Sequence, residues 1–292
     1  MNSKTTFGGV IQLLLAAVSV WFYGPAAQAF DTSGFAPSAE ARWTEARSAF
    51  HDTWFERADD LFAQVRAESP EFGPAFGYSA VIDAMLYRDV EPNASRALSL
   101  AEGSHSGAAQ FTRALVAFAR GELVDAEACL RLFLESYPND AYATHILGFT
   151  LIDQGRPQEG VEVLQALVLS DPTYYAAYNH LGYGRLALGA DAEALDAFTA
   201  FLEANRFNPS AHDSLADAML ANGKPEAALA QLARSVLIEP RFAYGWMRIG
   251  DIYVESDEPA LARIAYERAI ASAGKYGPDF TRSIEAKLAG LP

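Results

Sequence analysis

Apolar and polar positions along the chain follow helical spacing, in short segments that glycine and proline separate. In residues 141–172, the first segment runs from Tyr142 to Gln154, and Gly155 follows it as the left-handed residue that ends a helix. Pro157 then stands at the first position of the next segment, where a missing N–H costs little. The pattern predicts two short amphipathic helices joined by a tight turn.

This unit repeats with a period of 34 residues, which is the primary signal in the sequence. Glycine recurs every 34 residues, at Gly121, Gly155, Gly189 and Gly223. Proline falls at Pro70, Pro138, Pro172 and Pro240, at intervals of 68, 34 and 68. Small residues recur in the same phase, at Ala46, Ala80, Ala114, Gly148, Gly182, Ala216 and Gly250. We expect these small residues to let the two helices of a unit approach closely.

The best-formed unit carries Trp246, Ile249-Gly250, Tyr253, Ala262, Tyr266 and Ala269. In these residues the chain resembles the tetratricopeptide repeat family. The resemblance implies an all-α fold, a right-handed superhelical solenoid of about seven helix-turn-helix units with a C-terminal capping helix. The units start near residues 39, 73, 107, 141, 175, 209 and 243, so the solenoid covers residues 39–276 and the capping helix residues 277–292.

Two units depart from the repeat. The second lacks the turn glycine and carries Pro92 where alanine is expected. The fifth has Arg206 where a proline closes four of the other units, and Pro209 comes three residues later. For the fifth unit we predict a longer second helix or a bulged turn.

The N-terminus is typical of a secretory signal peptide rather than of the fold. Lys4 precedes an apolar stretch, and Ala27-Gln28-Ala29 fits the small-x-small pattern before a cleavage site. We predict a signal peptide over residues 1–29, cleavage after Ala29 and a linker over residues 30–38. The protein would then be periplasmic or secreted, with no membrane span in the mature chain. The alternative is an uncleaved N-terminal anchor.

Composition narrows the function further. The chain of 292 residues has a net charge of −15, which argues against nucleic-acid binding because phosphates need a basic surface. A single cysteine forms no internal disulfide and no multi-cysteine metal site. The sequence also lacks a phosphate-binding loop, a dinucleotide-binding turn and a nucleophile elbow. We therefore predict a protein that is not an enzyme and has no cofactor or metal.

In the tetratricopeptide repeat family, first helices line the concave groove and present ligand contacts at set places of each unit. Carried onto this chain, these places predict a groove that becomes polar and acidic toward the C-terminus. We expect partner-binding residues there at Tyr142, His145, Phe149, Asn179, His180, Tyr183, Asp213, Asp217, Tyr244, Met247, Arg248 and Asp251. His145, Asn179 and Asp213 lie on successive units, whose helix axes are about 8–10 Å apart, so they are poorly placed to share one metal ion.

Two functions are consistent with this groove. The first is a non-enzymatic protein–protein interaction scaffold of the cell envelope, which binds a peptide or helix of an unidentified partner protein in the groove. The second is an envelope glycan-binding or glycan-processing protein, in which Asp213, Asp217 and Asp251 are the candidate acids. The oligomeric state is left open by the sequence.

Overall fold

The computed structural model describes residues 37–292, which form fifteen α-helices and no β-strand. The predicted signal peptide lies outside the described residues, as does the linker up to residue 36. The helices are α1 (Pro37–His51), α2 (Phe55–Glu68), α3 (Gly73–Met85), α4 (Glu91–Ala101), α5 (Gly107–Ala119), α6 (Leu123–Ser136), α7 (Ala141–Asp153), α8 (Pro157–Ser170), α9 (Ala176–Ala187), α10 (Asp191–Ala204), α11 (Pro209–Ala221), α12 (Pro225–Ile238), α13 (Ala243–Glu255), α14 (Pro259–Ser272) and α15 (Pro278–Ala289).

Helices that follow each other in sequence pack against each other throughout these residues, and the last of them, α15, packs on α14. This arrangement confirms the predicted all-α solenoid of paired helices. Within residues 37–292, no helix combines the length and the apolar character needed to cross a membrane.

The glycines among the small residues of the repeat mark close approaches within their helix pairs. A Cβ atom on Gly148 would lie 2.5 Å from Leu164, and one on Gly250 would lie 2.4 Å from the ring of Tyr266. Real Cβ atoms do not come so near, so larger side chains at these places would push the two helices apart.

The turn between the two helices of a unit has a left-handed residue at the same place in every unit. It is a glycine in four units, with φ between 68° and 75°, as predicted for Gly155. The same 34-residue series continues through Thr53, Tyr87 and Asp257, whose φ values are 60°, 57° and 59°. The second unit therefore keeps the turn without its glycine, at the cost of backbone strain.

Replacing Asp257 by glycine should stabilise the protein by about 1 kcal/mol, because the exposed turn residue would lose its left-handed strain. The converse variant, Gly155→Ala, should destabilise it by a similar amount, since an added Cβ meets no atom within 4 Å and only the φ of 75° opposes it. Urea unfolding at pH 7.5 measures both. Equal stability of the three proteins would show that the turn carries no strain.

The prediction for the fifth unit was wrong. Helix α10 has 14 residues, the same length as α8 and α12, and the turn after it contains no bulge. Arg206 simply replaces the closing proline, and the side chain of Asn208 accepts a hydrogen bond from Ser210 N at the start of α11. The turn therefore forms without a proline at this place, and a side-chain cap begins the next helix.

The two ends of the solenoid meet. In the turn between α1 and α2, the carbonyl of Asp52 accepts a hydrogen bond from Asn208 Nδ2 at 2.6 Å, and that of Thr53 accepts one from Ser210 Oγ at 2.8 Å. The first unit is thereby joined to the sixth, across more than 150 residues of sequence.

A second set of contacts joins the first two units to the segment between α14 and α15. Gly277 N donates to the carbonyl of Leu86 at 2.7 Å, and Tyr276 Oη donates to Glu56 Oε1 at 2.7 Å. Lys275 Nζ donates to the carbonyl of Glu56 at 2.6 Å. We call these two sets of contacts the closure. The closure turns the concave side of the solenoid into an interior, where the resemblance had implied an open groove.

Candidate functional site

The interior holds a cavity of about 550 Å³. Its wall is built by the turn after α1, the end of α3, and helices α7, α9, α11 and α13. Tyr87 and Asp153 line it and are exposed, so they mark its opening to solvent. The volume lies within the range of cavities that bind small molecules or a few side chains.

The structure places the twelve predicted residues in two groups. Seven of them line the cavity together: His145, Phe149, Asn179, His180, Tyr183, Asp213 and Tyr244. The other five do not line it: Tyr142, Asp217, Met247, Arg248 and Asp251.

Three histidines form a buried hydrogen-bonded run along one wall. The Nδ1 atoms of His51 and His145 are 2.9 Å apart, and His145 Nε2 is 2.8 Å from His180 Nδ1. The hydroxyl of Tyr78 is 3.1 Å from His51 Nε2, at the far end of the run. Each ring contact needs one N–H and one bare nitrogen, which neutral imidazoles supply.

Burial favours the neutral form of all three rings. It lowers the pKa of His180 to about 4. Burial also lowers the pKa of His51 and His145 well below the usual value, with added repulsion from Arg47 on His51 and from His180 on both. The run is therefore uncharged at neutral pH.

Aromatic rings stand beside this run. Phe149 stacks on the ring of His180, with centroids 4.6 Å apart. Tyr183 packs edge-on against Phe198, with centroids 4.9 Å apart, and its hydroxyl donates to Asp217 Oδ2 at 3.0 Å. These contacts fix the orientation of both rings.

Two aspartates on α11 share one arginine from α13. Arg248 forms a hydrogen-bonded ion pair with Asp217, and its Nη1 lies 3.7 Å from Asp213 Oδ1. Burial raises the pKa of Asp213. The positive charge of Arg248 opposes this rise, and repulsion from Asp217 adds to it. Burial alone would lower the pKa of Arg248, but the two carboxylates outweigh this effect and raise it. The guanidinium of Arg248 thus interacts electrostatically with both aspartates.

Three side-chain oxygen atoms of cavity-lining residues have no hydrogen-bond partner among the described residues. They are the acceptor atoms Asn179 Oδ1 and Asp213 Oδ1 and the hydroxyl oxygen of Thr53. Asn179 is 1% exposed and Asp213 is 6% exposed. Buried acceptors without donors are rare in folded proteins, so the two acceptor atoms call for an explanation.

The predicted residues that do not line the cavity contact other side chains of the fold instead. The ring of Tyr142 packs on the guanidinium of Arg47 at 4.3 Å. Met247 packs in the apolar cluster of α13, α14 and α15, and Asp251 accepts hydrogen bonds from Tyr266 Oη and Lys287 Nζ, each at 2.7 Å. Helix α15 therefore covers the last part of the predicted groove.

The sequence analysis missed several lining residues. His51 stands at the thirteenth place of the first unit, a place that predicts ligand contacts in the family, so extending the rule to that unit would have found it. Tyr276 reaches the cavity through the closure, where it donates to Glu56, and the sequence has no local signal for this contact.

The comparisons with known proteins agree with this fold. A family model described as tetratricopeptide repeat matches residues 80–240, and a second with the same description matches residues 214–278. The comparison with curated proteins returns no match.

Solved structures share the fold at low sequence identity. A tetratricopeptide repeat protein from Parabacteroides merdae is 14% identical, with a TM-score of 0.58 over 87% of this chain and 100% of that chain. A thermophilic tetratricopeptide repeat protein from Thermus thermophilus is 18% identical, with a TM-score of 0.56 over 62% and 97%. MamA from Desulfovibrio magneticus is 19% identical, with a TM-score of 0.46 over 55% and 90%. Since a family model spans more than half of its residues, the chain belongs to the tetratricopeptide repeat family.

Proposed function

We propose that this protein is an exported interaction module that receives a segment of a partner protein in its interior cavity. Tetratricopeptide repeat domains bind protein partners, and the chain belongs to that family. The observation that carries the proposal is the enclosed cavity, whose wall holds two buried acceptors that lack donors. A ligand that enters the cavity would supply those donors.

The size of the cavity favours a short extended segment over a helix as the ligand. A helix with its side chains is about 10–12 Å across, so the cavity volume of about 550 Å³ equals roughly one helical turn. A few side chains of an extended peptide fill such a volume.

Export is part of the proposal, because the N-terminal sequence has the pattern of a signal peptide. N-terminal sequencing of the protein purified from its native host tests it. A mature chain that begins at Phe30 supports export with cleavage, and a chain that keeps residues 1–29 contradicts it.

The glycan alternative stays a prediction. Of its three candidate acids, Asp213 lines the cavity, Asp217 is paired with Arg248 and Asp251 with Lys287. Release of sugar from purified envelope glycan is the result that would favour this function over the interaction module.

Photo-crosslinking from single positions tests the interaction module. A benzophenone side chain at Tyr87, at the cavity opening, should give a crosslinked partner in intact cells. The same group at Leu169 on α8, which is 74% exposed and lies outside the cavity wall, should not. Adducts of equal yield at both positions, or none at Tyr87, would contradict docking at the cavity.

A further inference from the structure

We propose that the cavity binds an organic cation on an apolar stem, the group that a lysine or arginine side chain of the partner segment carries. This inference rests on the proposed function and names the chemistry that the cavity recognises.

The charges of the cavity wall favour a cation. Three acidic side chains line it, from Glu56, Asp153 and Asp213, and no lysine or arginine of the described residues does. Burial raises the pKa of all three, that of Asp213 to about 7, so a cation that enters would also stabilise their ionised forms. The histidines of the wall are neutral, as shown above.

Three cations lie near the wall without lining it, and each is engaged by other groups. Arg47 packs on the rings of Trp43 and Tyr142. Arg248 pairs with Asp217, and Lys275 bonds to Asp60 and to the carbonyl of Glu56.

The unpartnered atoms point to the same kind of ligand. Asn179 Oδ1 and Asp213 Oδ1 only accept hydrogen bonds, and the Thr53 hydroxyl can accept one as well. Arg248 Nη1 is 3.7 Å from Asp213 Oδ1, beyond hydrogen-bond reach. An ammonium group offers three donors and a guanidinium five, and neither carries an acceptor. An anionic ligand would instead place acceptors against acceptors.

The rest of the wall suits the stem of such a side chain. Apolar side chains of Val81 and Met85 line the cavity, and so do the rings of Phe149, Tyr183 and Tyr244. Aromatic faces attract an organic cation and also pack against the methylene groups that carry it.

A bare metal ion does not meet the same conditions. Within residues 37–292, no group of three or more His, Cys, Asp or Glu side chains is placed to hold one. A hard cation such as Ca²⁺ takes six to eight oxygen ligands. The organic cation supplies the donors itself and needs only the acceptors and the aromatic contacts just described.

Calorimetric titration of the protein purified from its host with two matched probes tests the inference. Nα-acetyl-lysine methylamide and its norleucine counterpart share the same stem and differ by the ammonium group. The lysine probe should bind at least about ten-fold more tightly, because hydrogen bonds to charged groups are the stronger ones. Equal affinity of the two probes, or no binding of the lysine probe, would overturn the inference.

Matched variants locate the site. Asp213→Asn and Asn179→Ala should each weaken binding of the lysine probe about ten-fold, whereas Asp125→Asn, on an exposed aspartate outside the cavity, should leave it unchanged. Thermal unfolding confirms that each variant is folded, and the two cavity variants provide independent readings. Unchanged affinity in both cavity variants would overturn the inference.

The two experiments separate the inference from the proposed function. If a partner crosslinks at Tyr87 but the lysine probe does not bind, the proposed function is supported and the cation site is contradicted. If the lysine probe binds through Asp213 but Tyr87 crosslinks no partner, the cation site is supported and docking of a partner protein is contradicted.

Discussion

The variant Gly277→Ala is expected to lose about 3 kcal/mol of folding free energy and to open the closure. Gly277 N donates to the carbonyl of Leu86 at 2.7 Å, and an added Cβ would lie 1.6 Å from Tyr87 O and 2.5 Å from Tyr87 C. Both atoms belong to the backbone, so no side chain can rotate away, and the two segments have to separate. The φ of Gly277 is −70°, which alanine adopts freely, so the effect comes from the contact alone.

Gly274→Ala is the matched control, because a Cβ there meets no atom within 4 Å. Urea unfolding gives the loss of stability, and small-angle X-ray scattering gives the change in size. Gly277→Ala should increase the radius of gyration, whereas Gly274→Ala should match the wild type in both measurements. A Gly277→Ala protein that keeps wild-type stability and size would show that the closure does not hold in solution.

Two of the three strained turns lie where the closure forms. Thr53 and Tyr87 occupy the left-handed turn position that glycine fills in the middle units, and a β-branched or bulky residue there is strained. Thr53 O accepts the hydrogen bond from Ser210 Oγ, and the ring of Tyr87 packs on Phe280, with centroids 5.4 Å apart. The closure contacts therefore hold these two turns in place, and Tyr87 gives the second unit a contact that glycine would lack.

The fold class and the turn chemistry were predictable because they rest on short-range repetition. The glycine period, the small residues such as Gly148 and the proline at the start of α8 each act within one helix pair. The closure was not predictable from such signals, because Asn208 and Asp52 are 156 positions apart and neither residue departs from an ordinary loop composition.

The same limit explains the predicted site residues that lie outside the cavity. The family places for ligand contacts identify which side chains point inward from a first helix. They do not say which inward side chains a later element covers, as α15 covers Met247 and Asp251. They also give no hint that Tyr276 would reach Glu56 from a connecting segment.

Between pH 8 and pH 5, the wild type should lose about 2 kcal/mol more unfolding free energy than the variant His180→Gln. In the unfolded chain a histidine binds a proton below about pH 6.5, whereas burial lowers the pKa of folded His180 to about 4. The contribution of the neutral His180 ring to the unfolding free energy is therefore fully present above pH 6.5. Below that pH it falls by about 1.4 kcal/mol per pH unit. Glutamine does not titrate, so the variant lacks this loss.

The difference in unfolding free energy between wild type and variant isolates this effect. Burial raises the pKa of Asp52 to about 6 and also raises that of Asp213, so both carboxyls stabilise the folded chain as the pH falls. Because both proteins contain these carboxyls, their contribution cancels in the difference. The unfolding free energy of the wild type minus that of the variant should thus be about 2 kcal/mol lower at pH 5 than at pH 8.

His105→Gln is the matched control, since His105 is an exposed residue in the segment between α4 and α5. The same unfolding measurement on this variant gives the effect of a histidine-to-glutamine change outside the cavity. Ring-proton NMR of the wild type gives a direct check, in which the signal of His180 should keep its neutral position down to pH 5. If the ring titrates near pH 6.5 and the His180→Gln difference is flat, the ring is hydrated and the run of three histidines is not buried. The cavity wall would then carry positive charge in mild acid, and the preference for a cation would have to vanish there.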